Sequence, residues 1–143
     1  MQRRVRISPN GATIYHSDTR AMCLIVYDLS ADGAAAVNRR HWSTGDRSHP
    51  DGIAIDTDGG VWVADHGGSR VIRLRPDSGE IDRVIAVPTK YVTSLCFWGS
   101  DLVVVGADNL LDPPQRGSVF RANVGVTGAL VPLAAVRPVD PGQ

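Results

Sequence analysis

The side chains able to do chemistry are few and widely spaced. Four histidines, His16, His41, His49 and His66, are separated by 25, 8 and 17 residues. No pair has the close spacing of a zinc site. Asp56-Thr57-Asp58-Gly59 opens like an EF-hand calcium loop but lacks the third acidic position before the glycine and the flanking helices. It reads as a hairpin turn. Pro50-Asp51-Gly52 has two readings that the residues leave open. It is a turn, the commoner meaning of such a tripeptide, or it places a carboxylate beside a glycine that lets backbone approach closely, as a ligand for a hard cation requires. No G-x-S-x-G elbow, phosphate-binding loop or G-x-G-x-x-G occurs, which removes the basis for serine hydrolase, NTPase and dinucleotide-binding readings.

The elements that must position these groups are strands. Short β-rich runs lie at Val5–Ile7, Ala12–Ser17, Ala21–Leu29, Gly52–Asp56, Gly60–Ala64, Arg70–Leu74, Ile81–Val87, Thr93–Trp98, Leu102–Val105 and Ser118–Ala122. Turn clusters such as Ser8-Pro9-Asn10-Gly11 and Asp58-Gly59-Gly60 separate them. Helical periodicity is confined to a hint at Ala34-Ala35-Ala36-Val37. The runs also repeat. Tyr15-His16-Ser17-Asp18, Trp62-Val63-Ala64-Asp65 and Val105-Gly106-Ala107-Asp108 match at spacings of 47 and 43 residues, each with a strand before and a strand after. That period predicts a four-stranded propeller blade, where a plain β-sandwich would need no self-similarity. The 143 residues hold about three such blades. Closed propellers have 4–8 blades, so two sheet edges stay open. A partial propeller over residues 1–136 and a disordered tail over 137–143 are the expected organisation.

Innermost strands line a propeller's channel. Counting back 12, 11 and 12 residues from Tyr15, Trp62 and Val105 reaches Arg3, Asp51 and Thr93 at the strand starts. Asp51 is therefore expected to point into the channel. His49, beside Pro50, is the histidine placed to reach its mouth. Trp42, Trp62 and Trp98 are expected to pack within blades, Trp98 with the weakest case, and Arg39-Arg40 to form a solvated face.

Composition narrows the function classes. Lys+Arg and Asp+Glu are 15 each, so there is no basic field to hold nucleic acid or an anionic membrane. Apolar residues make up 43% and charged residues 21%, as in folded globular chains. No apolar signal region follows the basic start, and the longest apolar run, Ala21 to Tyr27, is far too short for a membrane helix. Cys23 and Cys96 lie in apolar stretches and are expected to be buried thiols in a reducing cytoplasm.

Several ordered motifs together resemble the SMP-30/gluconolactonase/luciferin-regenerating-enzyme family. They are Ser8-Pro9-Asn10-Gly11 with Tyr15 and Asp18, then Asn38-Arg39-Arg40, then His49-Pro50-Asp51-Gly52-Ile53-Ala54-Ile55-Asp56 with Asp58-Gly59-Gly60-Val61-Trp62-Val63-Ala64. Gly68 to Pro76, Val87-Pro88 with Val92 to Phe97, and Gly117 to Phe120 with Gly125 to Gly128 continue the match. The resemblance covers nearly the whole chain and the C-terminal half of a family member. It implies a six-bladed β-propeller and hydrolysis of a sugar lactone or related lactone, assisted by one divalent cation (Ca²⁺, Zn²⁺, Mn²⁺ or Mg²⁺). Asp51 matches the family's metal-ligand aspartate and, in the scheme the family suggests, is also the base. The family's further Glu ligand falls before Met1, and its Asn ligand falls on Arg3-Arg4. An arginine there would pair with Asp51 and oppose a cation. The alternatives are a non-catalytic propeller scaffold or a truncated fragment. A small-molecule lactone is the expected partner, with neither nucleic acid nor membrane. A homodimer of two half-propellers is the remaining expectation.

Overall fold

The computed structural model describes residues 4–107 and 117–130. Eleven strands are found there: β1 Arg4–Ile7, β2 Thr13–Asp18, β3 Cys23–Leu29, β4 Ala36–Ser43, β5 Pro50–Ile55, β6 Val61–Asp65, β7 Arg70–Leu74, β8 Ile81–Ala86, β9 Val92–Trp98, β10 Asp101–Gly106 and β11 Val119–Asn123. They form antiparallel sheets ordered β1-β2-β3-β4, β5-β6-β7-β8 and β9-β10-β11. These are three blades of a β-propeller, each a meander running from the innermost strand outward. No helix among the described residues is long and apolar enough to cross a membrane. The tail at 137–143 and Asp108 of the third repeat lie outside the described residues.

Blade packing follows from strand alternation. Call the face of a blade that meets the next blade in sequence its front. The front of blade 1 (Tyr15, Leu24, Val26, Trp42) packs on the back of blade 2 (Ile53, Ile55, Val61, Val63, Ile72, Leu74) in one core cluster. The front of blade 2 (Ala54, Trp62, Ala64, Val71) packs on the back of blade 3 (Leu95, Leu102, Val104, with Phe97 and Phe120) in the second. Blade 2 is thus covered on both faces, and every residue of β5 and β6 is buried. Among the described residues, no other blade packs on the back of blade 1 or the front of blade 3, although Ile25 on the former is buried. Val5 and Ile7 are exposed on the first, and Trp98, Val105 and Val119 on the second.

Of the two readings left open for Pro50-Asp51-Gly52, the strand is found: it is the buried start of β5. Three sequence expectations are corrected. The hint of helix at Ala34–Val37 is instead the end of a hairpin loop, closed by Ser30 N–H donating to the Ala35 carbonyl, and the start of β4. That strand was missed because an outermost strand is solvated on nearly all positions: only Trp42 of Ala36–Ser43 is buried, so no alternation shows. Neither cysteine is buried: Cys23 is half-exposed, and Cys96 is exposed on the open front of blade 3. Trp98 sits on that same open face, 74% exposed, with the Arg121 guanidinium 5.7 Å from its ring centre. An apolar run buries its residues only where another sheet meets it.

Asp56-Thr57-Asp58-Gly59 is the β5–β6 turn. The fully buried Asp56 carboxylate accepts from Asp58 N (3.0 Å), Gly60 N (2.8 Å), Trp62 Nε1 (2.7 Å) and Arg73 Nε (2.7 Å). These donors hold its pKa below the ordinary carboxylate value despite burial, with Arg73 the foremost of them.

Candidate functional site

The N-terminal end of β5 is clamped by its neighbours. Ser17 Oγ donates to the Asp51 carbonyl and Thr19 Oγ1 to the Pro50 carbonyl, both at 2.7 Å. On the other side, His66 N donates to the His49 carbonyl (2.9 Å) and His49 N to Asp65 Oδ1 (2.8 Å). Asp65, 1% exposed, is held in turn by Arg70 Nε at 2.7 Å. Gly68 makes room for it, since a Cβ there would lie 2.3 Å from Asp65 Oδ2. Both inner-strand neighbours thus fix the backbone from 49 to 51, and the direction of the Asp51 side chain with it.

Gly52 sets how near the channel strands come. A Cβ at Gly52 would lie 2.7 Å from Ser94 Cα and 2.9 Å from the Thr93 carbonyl oxygen. Only a residue without a side chain lets β5 meet β9 at that distance.

The result is a cavity of about 670 Å³ where the three inner strands converge. Blade 1 contributes Arg4, Thr19 and Arg20, blade 2 His49, Asp51 and His66, and blade 3 Thr93. Asp51 is 7% exposed, and its Oδ1 is buried without a hydrogen-bond donor among the described residues. The nearest cationic group is Arg4 Nε at 3.6 Å, beyond hydrogen-bond distance. Burial pushes the Asp51 carboxyl above its ordinary pKa, and Arg4 and His66 work against that rise. Thr93 donates its hydroxyl to the Val105 carbonyl at 3.2 Å.

Asp51 and Thr93 do converge, but the strand pairing puts Val103, not Val105, in the place of Trp62, so the third repeat is displaced by two residues from the spacing read in the sequence. Arg3 lies outside the described residues; Arg4 lines the cavity and stands beside Asp51. His49 reaches the cavity as expected, with Nδ1 3.4 Å from the Thr19 carbonyl. His16 and His41 do not line it. His66 was missed. The signal for it was present, because His66 follows Asp65 as Thr19 follows Asp18, 47 residues earlier. Chemically, the cavity offers one carboxylate with an unsatisfied oxygen, flanked by guanidinium and imidazole groups. Such a set can take a proton from water and stabilise developing negative charge nearby.

Comparison with known proteins places this geometry in context. The family model for the SMP-30/Gluconolactonase/LRE-like region matches residues 5–105. The chain is 37% identical over 139 residues to a 6-deoxy-6-sulfogluconolactonase of Pseudomonas putida, covering 90% of this chain and 47% of that protein. It is 34% identical over 128 residues to a regucalcin of Gallus gallus, covering 81% and 43%. Among solved structures, a luciferin-regenerating enzyme superposes with a TM-score of 0.77 at 27% identity, covering 90% of this chain and 48% of that one. A regucalcin from Agrobacterium tumefaciens, described as a calcium-binding protein, gives 0.75 at 30% identity, with 90% and 47% covered. The chain spans about half the length of the curated relatives it matches.

Proposed function

From the premise that this chain belongs to the SMP-30/gluconolactonase/LRE-like family, we propose that its cavity serves hydrolysis of a sugar lactone or related lactone, with Asp51 as the base. Relatives named 6-deoxy-6-sulfogluconolactonase and L-arabinolactonase support the reaction class. The observation that carries the role of Asp51 is its nearly buried carboxylate in the lining of a cavity large enough for a sugar ring. In the reaction, water attacks the lactone carbonyl carbon and passes a proton to the Asp51 carboxylate. The ring C–O bond then breaks, and the departing alkoxide recovers that proton from Asp51. Water is consumed and a hydroxy acid is formed. Arg4, 3.6 Å away, stands where it can favour the negative charge that builds on the carbonyl oxygen.

The family implies a divalent cation, and the residues around Asp51 meet its needs only in part. Asp51 Oδ1 has the right chemistry for one ligand. The rest of the lining does not follow: a guanidinium stands beside Asp51, and the described residues hold no group of three His, Cys, Asp or Glu able to bind a metal ion. A calcium ion takes 6–8 oxygens. The described residues do not fit a cation by themselves. The free thiols of Cys23 and Cys96 support placement in a reducing compartment such as the cytoplasm.

The test is acid release at constant pH from a panel of five- and six-membered sugar lactones, with the wild-type chain and Asp51→Asn. Loss of a general base lowers the rate by roughly 10²–10⁴-fold. A fully active Asp51→Asn chain overturns the reading. Arg4 beside Asp51 favours a second reading, a propeller that binds a small molecule without turning it over. Under it, wild-type chain releases no acid while a lactone or its hydroxy acid still raises the melting temperature.

A further inference from the structure

Arg20 puts a second guanidinium in the cavity beside Asp51, which it lines together with Arg4, His49 and His66. Arg4 has Asp51 at 3.6 Å. Arg20 is exposed, and no carboxylate among the described residues pairs with it. Arg40, Arg70, Arg73 and Arg121, by contrast, each hold an aspartate. Asp18, the acidic residue nearest to Arg20 in sequence, uses its Oδ1 to accept from Ala21 N at 3.0 Å.

Contacts of the preceding residue fix where Arg20 stands. Thr19 Oγ1 donates to the Pro50 carbonyl at 2.7 Å, and the Thr19 carbonyl lies 3.4 Å from His49 Nδ1. The β2–β3 turn is thus tied to the strand start that carries Asp51. The turn itself does not call for an arginine. Asp18 to Met22 aligns with Asp65 to Ser69 at 47 residues, and Met22 and Ser69 share a left-handed backbone, with φ of 55° and 54°. In the blade 2 turn the equivalent of Arg20 is Gly67. The same turn therefore forms without a side chain there, and what Arg20 adds is a charge at the rim of the cavity.

Depth separates the carboxylate from this charge: Asp51 is 7% exposed, at the floor, and Arg20 stands exposed at the mouth. We infer that the lactone accepted here bears an anionic group, a carboxylate, sulfonate or phosphate, at the end remote from its carbonyl, and that Arg20 is the residue that selects it. With the carbonyl at Asp51, the far end of the molecule meets Arg20. A guanidinium takes an oxyanion through paired N–H donors, and a neutral hydroxymethyl group gives those donors no charge to answer. This inference rests on the lactone reading of the cavity and names the substrate class within it.

The experiment uses the full-length protein, so that whatever the rest of the polypeptide brings to the channel is present. The substrates are the five-membered lactones of D-gluconate, D-glucarate and phosphogluconate, which differ only in carrying a hydroxymethyl group, a carboxylate or a phosphate ester at the terminal carbon. Acid release at constant pH gives kcat/KM for each, with wild type, Arg20→Gln and Arg20→Lys. Arg20 is exposed, so the variants keep the fold, checked by circular dichroism. Wild type should prefer an anionic lactone over the neutral one. Arg20→Gln should lower that preference about tenfold, the low end for a hydrogen bond to a charged group. The loss should fall on KM, because the anionic group is remote from the reacting carbonyl. Arg20→Lys keeps the charge and should retain part of the preference. A wild type that prefers neither anionic lactone overturns the inference, and so does a preference that Arg20→Gln leaves intact. A wild type that cleaves none of the three ends the hydrolysis reading instead. The anion preference is then read from the melting temperature with gluconate, glucarate and phosphogluconate. A larger rise with glucarate or phosphogluconate, lost in Arg20→Gln, supports the selection by Arg20; equal rises, or none, overturn it.

Discussion

Gly52→Ala tests whether the approach of β5 to β9 is what builds the cavity. The substitution adds one methyl group at a position without a positive φ, so backbone strain does not enter. The cost comes from space alone. The new Cβ would lie 2.7 Å from Ser94 Cα, against an ordinary contact of at least 3.4 Å, a deficit of 0.7 Å. The obstructing atoms are backbone, so no rotamer change relieves them, and the two inner strands must move apart. Overpacking of this kind costs about 1–3 kcal/mol. In a chain of this size each kcal/mol lowers the melting temperature by roughly 4 °C, so a loss of roughly 4–12 °C is expected by calorimetry. Gly11→Ala is the control, because nothing lies within 4 Å of its added Cβ and only its φ of +73° opposes the change. That costs about 1–2 kcal/mol. Lactone hydrolysis should fall in Gly52→Ala, whose neighbour is Asp51, and stay unchanged in Gly11→Ala. A Gly52→Ala chain melting within a degree of wild type, with full activity, refutes the reasoning.

Asp56→Asn should destabilise the chain by about 1–3 kcal/mol, because it takes the charge out of the buried hydrogen bonds to Gly60, Trp62 and Arg73 while Arg73 keeps its ion pair with Asp82; urea unfolding measures this. The folded pKa of Asp56 is lowered, so its contribution is complete above the unfolded carboxylate pKa of about 3.9 and disappears as pH falls through the folded value. Wild-type stability should therefore drop more steeply than that of Asp56→Asn below about pH 4. Arg4→Gln removes the guanidinium that works against the burial-driven rise of the Asp51 pKa, so the acid limb of the pH–rate profile for lactone hydrolysis should move to higher pH; an unmoved limb would show that Arg4 does not act on Asp51.

Much of this fold is written locally. Alternating apolar runs between Gly, Pro, Asn and Asp turns specify strands, and their recurrence every 40–50 residues or so specifies blades, because each blade must bury one face on the next. The same recurrence brings Asp51 and Thr93 to one channel. Strand β4 left no such trace, since an outermost strand of solvated residues has no buried face to alternate against.

Tertiary structure decided the rest. Pro50-Asp51-Gly52 is locally as good a turn as a strand; Ser17, Thr19 and Asp65, brought in from other strands, make it a strand aimed at the cavity. Cys96 and Trp98 have the local character of core residues, yet both are exposed because no sheet among the described residues meets their face. Period and polarity belong to the chain itself and can be read from it. Burial, and the company a carboxylate keeps, depend on which surfaces meet, and that is settled only when blades pack.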